Sequence, residues 1–385
     1  MRRLLLLASA MVFLDLTFFT AIAPLLPEYV DDLHMSTAQA GILSAAYAAG
    51  TLAAALPGGY VASRFGPRRT VIVGLCGLGF ASLSFGLLDS PWPLDAARFI
   101  QGVAGALIWS GALTWIINAY PDDQRGQVIG TALGTAVAGS LLGPALGALA
   151  GTIGTEPVFS AVLVVSLGLA FIASRFPDTV VRENQPLREV VACLVDRPLV
   201  EAAIFVSSPS LMFGAIDVLL PLRVDDLGGG HALIAVGFIG GAAIESVLAP
   251  FAGRMSDRIG RRAPYVLGMA ICAVSMVVYA FADSLAMVIF ALLLTSLGSG
   301  FCFAPAMTLI SDAADASGLH QGYAVAVTNM AWALSQVVGG VVGAGVAGVT
   351  GDAVPSIGIA VVLVLTILYA FRALGPEPEP VAAET

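Results

Sequence analysis

Twelve apolar stretches run through this chain, at about 4–26, 38–60, 70–88, 93–118, 127–152, 156–176, 199–222, 232–252, 264–282, 285–310, 321–347 and 353–372. Each is long enough to cross a bilayer, whose hydrocarbon core of about 30 Å takes roughly 20 helical residues. In lipid every backbone N–H and C=O must find a partner within the protein, so only helices and closed barrels can span. Barrel strands would show polar–apolar alternation over about 10 residues, which is not the pattern here. Only 11% of the 385 residues are charged and 58% are hydrophobic, against roughly 25% charged in a soluble domain. Such a chain cannot cover a water-facing surface. The expected fold is all-α and integral to the membrane, with twelve transmembrane helices. The apolar run that follows Arg2 and Arg3 is too long for the 7–15-residue core of a signal peptide and contains Asp15, so a retained first helix is expected.

The chain also repeats itself. Gly59, Arg64, Gly66 and Arg68 recur as Gly253, Arg258, Gly260 and Arg262, each 194 positions on, and the stretch 25–33 returns at the same offset as 219–227. One uninterrupted offset of about half the chain argues for two pseudo-symmetric halves, an internal repeat of the kind found in transporters. The expected units are a six-helix bundle at 1–176, a central loop at 177–198 with a short amphipathic helix around Leu187–Leu194, and a second six-helix bundle at 199–374. The Pro- and Glu-rich end, 375–385, is expected to be disordered.

Charge places the loops. There is no lysine, so all 17 basic residues are arginine. With the first residue inside and the helices alternating, every arginine except Arg98 and Arg223 falls on the cytoplasmic side, while the outer turns are acidic. This is the positive-inside pattern, and it predicts a multi-pass protein of the inner or plasma membrane with both ends cytoplasmic. The turn near Asp312 and Asp315 departs from it, being acidic and on the inner side.

Other chemistry is missing. Cys76, Cys193, Cys272 and Cys302 lie mostly in apolar runs without paired spacing, and His34, His231 and His320 are scattered. Neither a disulfide framework nor a metal site is expected. There is no phosphate-binding loop, nucleophile elbow, zinc-protease pair or dinucleotide fingerprint. The chain is not expected to be an enzyme, to carry a cofactor or to bind nucleic acid. Without an ATP site, the energy for any transport must come from an ion gradient.

The basic turn Gly59, Arg64, Gly66, Arg68, Arg69 and its copy Gly253, Asp257, Arg258, Gly260, Arg261, Arg262 resemble the signature loop of the major facilitator superfamily, G-x-x-x-D-R-x-G-R-R. The resemblance covers essentially the whole chain. It implies two six-helix bundles around a central site, with these loops gating the cytoplasmic side. The first copy departs from the pattern, because Ser63 stands where the family has an acid. In the fourth segment, Arg98, Gln101 and Gly102 resemble the family's R-x-x-x-G motif. An arginine in hydrocarbon is costly unless it meets a polar cavity or partner. Arg98 is read either as buried, in proton transfer or paired with a carboxylate, or as snorkelling to the outer surface. The fifth segment places Gly130, Gly139, Gly143, Pro144 and Gly147 at spacings that resemble the family's antiporter helix, with Ala148 in place of a final glycine. The resemblance implies export by exchange. Small residues let helices approach closely in any case.

Three acids lie within the apolar segments: Asp15, Asp217 and Glu245. Asp15 sits near mid-membrane in a stretch similar to the first helix of drug and amine exporters in the superfamily. An ionised carboxylate there is expensive, which suits a group that takes up and releases a proton. Asp15 is the leading candidate for proton coupling, cation attraction or both, with Arg98, Asp217 and Glu245 as further candidates. Asn329 or Gln336 is a possible partner for Glu245. Phe18, Phe19, Tyr47, Trp109, Trp115, Phe213 and Trp332 can line a cavity for a flat or cationic ligand. The expected function is proton-driven antiport that exports small amphipathic or cationic compounds, by a monomer whose partners are its substrate, protons and lipid. Uptake by proton symport and a non-transporting membrane receptor are the alternatives.

Overall fold

The computed structural model describes residues 1–121, 124–179, 187–319 and 321–374. These residues are helical and contain no strand. In order they form α1 (Arg2–Thr20), a 3-10 turn (Ala23–Leu25), α2 (Leu26–Asp32), α3 (Thr37–Phe65), α4 (Pro67–Leu87), α5 (Pro91–Ala119), α6 (Arg125–Ile153), α7 (Thr155–Ser174), α8 (Leu187–Cys193), α9 (Arg197–Asp226), α10 (His231–Ile259), α11 (Arg262–Ala280), α12 (Leu285–Ala316), α13 (Gln321–Thr350) and α14 (Ala353–Ala373). Among the described residues, twelve helical spans are long and apolar enough to cross a membrane. The short helix α8 occupies the place expected in the central loop. The expected disordered tail, 375–385, lies outside the described residues.

Local chemistry explains where the helices begin and end. Helix α3 starts at a capping box, in which Ser36 Oγ accepts from the Gln39 N–H and Gln39 Oε1 accepts from the Ser36 N–H at 2.8 Å, satisfying donors that a helix start leaves free. It ends at Gly66, whose φ of +92° is matched by +90° at Gly260 in the repeat. A side chain at either position would strain the backbone, so the glycines of the two signature turns are conformational requirements. The first span is not one helix, as the sequence suggested. Pro24 and Pro27 carry no N–H, which leaves the Thr20 and Ala23 carbonyls without their helical donors. The chain therefore breaks after Thr20 into the 3-10 turn before α2 resumes.

The packing repeats between the halves. Helix α1 lies on α6 as α9 lies on α13, α3 on α5 as α10 on α12, and α4 on α7 as α11 on α14. The halves join mainly through α3 with α13 and α6 with α10, with smaller contacts of α9 on α2 and α3 and of α10 on the 3-10 turn. Several of these joins lie at the end of the molecule away from the signature turns, called here the far end. There Gly41 faces Gly340 and Ala344, Gly348 faces Thr37, and Gly151 faces the His231 ring.

The α1–α6 seam is backbone against backbone. A Cβ added at Gly139, Gly143 or Gly147 would collide with the carbonyl oxygen of Phe13, Thr17 or Ala21 respectively. The two helices thus meet at every fourth residue on each side. Thr17 Oγ1 donates to the Gly139 carbonyl at 3.2 Å and Thr20 Oγ1 to the Ser140 carbonyl at 3.3 Å. Gly130, the first member of the same sequence pattern, has open space around it. Gly143→Val should therefore lower stability by about 1–3 kcal/mol through overpacking. Gly130→Ala should be neutral or stabilising by up to about 1 kcal/mol, through helix propensity. Thermal unfolding in detergent reads both, and equal effects at the two positions would refute the seam.

Candidate functional site

Asp15 lies on α1 with none of its surface exposed. Its carboxylate accepts hydrogen bonds from Tyr47 Oη of α3, 2.9 Å from both carboxylate oxygens, and from Trp109 Nε1 of α5 at 2.9 Å. Gly105 of α5 packs so closely that a side chain there would strike Asp15 and Tyr47. Three helices thus converge on one carboxylate, and two neutral donors offset part of the cost of burying it. Tyr47 and Trp109, expected as cavity lining, prove to be the donors to the acid.

Arg98 is 2% exposed, so it does not snorkel to the surface. Nor does it pair with an acid, since among the described residues no carboxylate lies within ion-pairing distance of it. Its Nη1 donates to the Phe18 carbonyl at 3.2 Å and to Gln101 Oε1 at 3.0 Å, and its Nη2 donates to the Phe19 carbonyl at 2.6 Å. Those carbonyls belong to the last turn of α1, where the helical ladder runs out. The guanidinium fork caps them and places positive charge at the negative end of the helix dipole. Gln101 passes the network on to Ser82 of α4 at 3.1 Å. The Arg98 guanidinium also lies 5.0 Å from the Tyr47 ring centroid and 5.7 Å from that of Phe19. Tyr47 therefore touches Arg98 with its ring and Asp15 with its hydroxyl, linking two groups that do not meet.

The other acids lie apart from this cluster. Half-buried Asp217 of α9 accepts a long, 3.5 Å hydrogen bond from Gln336 Nε2 of α13. With Phe19, Ser44, Ala48 and Gly214 it lines a narrow crevice between the halves. Arg98 is within electrostatic reach of both Asp15 and Asp217. Gln336 thus serves Asp217 and not Glu245. Glu245, half-buried on α10, lies near Ser299 of α12, whose hydroxyl donates to the Ser296 carbonyl at 3.0 Å. Of the aromatic candidates, Phe19 reaches across the halves, 4.8 Å from the Tyr47 ring and 5.5 Å from Trp332. Phe18 packs on Phe159, Phe213 on Phe303, and fully buried Trp115 against Phe176.

At the signature turns, Ser63 bonds only backward to the Tyr60 carbonyl of its own helix at 2.8 Å. The carboxylate near the first turn comes instead from Asp178, at the start of the central loop. It accepts from the Arg68 N–H at 3.2 Å, while Arg68 Nη1 donates to the Phe176 carbonyl at 3.1 Å. In the second turn Arg261 pairs with Asp312, one of the two acids of the turn that departed from the charge rule. Arg262 lies 5.6 Å from the Phe371 ring centroid. Arg64 and Arg258 occupy the last turns of α3 and α10, and Arg69 lies in the first turn of α4. Gly59 approaches Tyr323, whereas Gly253 has open space around it. The side chain of Asp257 lies outside the described residues.

Twelve spans, halves that repeat in sequence and packing, and a buried polar cluster beside their junction define a membrane transporter. The profile of the Major Facilitator Superfamily matches residues 6–244 and 203–385, and the chain belongs to that family. It is 26% identical to the uncharacterized MFS-type transporter YcaD of Escherichia coli over 271 residues, 68% of each chain. Among solved structures it resembles a bacterial homologue of the human lysosomal transporter Spinster in an inward-facing, occupied conformation (TM-score 0.78, 14% identity, 96% of each chain). It also resembles a D-xylose–proton symporter (TM-score 0.75, 16% identity, 96% of each chain). At these identities the structural likeness shows the fold alone.

Proposed function

We propose that this transporter exports small amphipathic or cationic compounds in exchange for protons, with Asp15 as the proton site. The observation that carries this reading is the fully buried carboxylate held only by neutral donors, Tyr47 and Trp109. Ionised, Asp15 is an acceptor for both. Protonated, it no longer needs both and becomes a donor itself. Proton uptake therefore rearranges the contacts of α1 with α3 and α5, and through the Tyr47 ring those of Arg98. The Arg98 fork holds the break in α1, so the change reaches the junction at Phe19 and Trp332. The aromatic surfaces there, with the acid Asp217, suit a flat cation. The arginine asymmetry orients the signature turns and both ends toward the cytoplasm. One proton moving down 100 mV supplies about 2.3 kcal/mol, enough for modest accumulation.

The antiporter-like glycines support exchange by fastening α1, which carries Asp15, to α6. A second reading, proton symport of a polar solute, is favoured by the polar lining that Ser44, Asp217 and Gln336 give the crevice. Everted vesicles decide between them. Export by exchange predicts that dyes or antibiotics enter the vesicles and release protons from the lumen. Substrate entering only right-side-out vesicles, together with protons, would establish symport.

A further inference from the structure

The far end carries a cross-half contact that the central acids do not explain. His231 opens α10, in the second half, and its Nε2 lies 3.8 Å from Oε2 of Glu28 on α2, in the first half. The ring is wedged against Gly151 of α6, where a side chain would strike Nδ1 and Cε1. The Glu28 Oε2 atom is shielded from solvent and accepts no hydrogen bond. A buried acceptor without a donor thus points at an imidazole of the other half. Beside Glu28, Asp225 of α9 is within electrostatic reach of the ring; Asp31 and Asp226 lie in turn within reach of Asp225, and Asp32 within reach of Glu28. The α6 face against the ring presents Gly151, without charge.

We propose that Glu28 and His231 form a proton-operated latch that holds the far ends of the two halves together. Protonated, His231 supplies the cation that Glu28 and the surrounding acids lack, and the halves are drawn shut. Neutral, the ring can offer the carboxylate at most an uncharged N–H, and the shut state loses the charge–charge attraction. Acid therefore favours closure at the far end, because the shut state gains from a proton on His231 that the parted state does not. With the signature turns on the cytoplasmic side, the far end faces outward and the latch answers to external pH. The latch rests on alternation between open and shut states, and its test needs no substrate, so it can fail without the export reading failing.

The test places spin labels at Ser90→Cys and Ser284→Cys, exposed far-end positions of the two halves, in the full chain with Cys76→Ala and Cys193→Ala. Electron–electron distance measurements in nanodiscs then follow the shut population from about pH 8 to pH 5.5. Acidification should raise the ratio of shut to parted molecules roughly two- to five-fold, as expected for a half-exposed ion pair. His231→Gln and Glu28→Gln should each flatten that response, and the double exchange Glu28→His with His231→Glu should restore it. The Asp15→Asn chain should keep it. An unchanged pH response in His231→Gln, or its loss in Asp15→Asn alone, would overturn the latch.

Discussion

Asp15→Asn is expected to reduce proton-coupled transport by roughly 100-fold or more, the scale at which a proton-transferring group contributes, while the protein still inserts and folds. Asparagine has nearly the same shape and keeps one carbonyl oxygen for the Tyr47 and Trp109 donors, so the convergence of α1, α3 and α5 survives. It cannot take up or release a proton. Transport of substrate down its own gradient should persist in proteoliposomes, and substrate-dependent proton flux should vanish. Tyr47→Phe and Trp109→Phe should each slow coupled transport less severely, because each removes one of the carboxylate's two donors and leaves the acid itself. Full proton-coupled activity in Asp15→Asn would remove Asp15 from the mechanism, whatever its hydrogen bonds.

Arg98→Ala is expected to be the most destabilising single change in the polar cluster, costing about 2–5 kcal/mol. It strands the Phe18 and Phe19 carbonyls and Gln101 inside the protein without a charged donor. Arg98→Lys should recover only part of the loss. An ammonium is a point charge and cannot present two parallel N–H groups to the end of a helix. Thermal unfolding of the purified protein in detergent gives the order wild type, then lysine, then alanine. Coupled transport should fall in the same order, since the break in α1 would no longer be held. If alanine proved as stable as wild type, Arg98 would not be capping α1.

The span count, the repeat and the two signature glycines were legible because each follows from one local rule: length of apolar run, fixed offset, or a conformation open only to glycine. The partners were not legible in the same way. Asp15 stood out as an acid in hydrocarbon, but its donors are 32 and 94 positions away along the chain, and no local pattern connects them. Arg98 stood out as a charge in an apolar run, and a proton-transfer role, a carboxylate partner and an escape to the surface were all open readings. Pro24 and Pro27 were the available signal for a different answer, since they foretell a helix end with unpaired carbonyls close to the arginine. Ser63 read as a missing acid. The carboxylate that Asp178 brings near that turn comes from the far side of four helices, where sequence spacing carries no information. Gln336 was one of two residues offered as partners for Glu245, and the packing of α9 on α13 brings it to Asp217 instead.

The seam between α1 and α6 also constrains motion. Because the carbonyls of Phe13, Thr17 and Ala21 each rest on a glycine, longitudinal slippage would carry a bulkier residue onto an oxygen until a whole step of four residues, about 6 Å, had been crossed. The pair can rock together but cannot shear. Any displacement that begins at Asp15 is therefore delivered to α6 undiminished, as by a stiff oar and not a sliding rail.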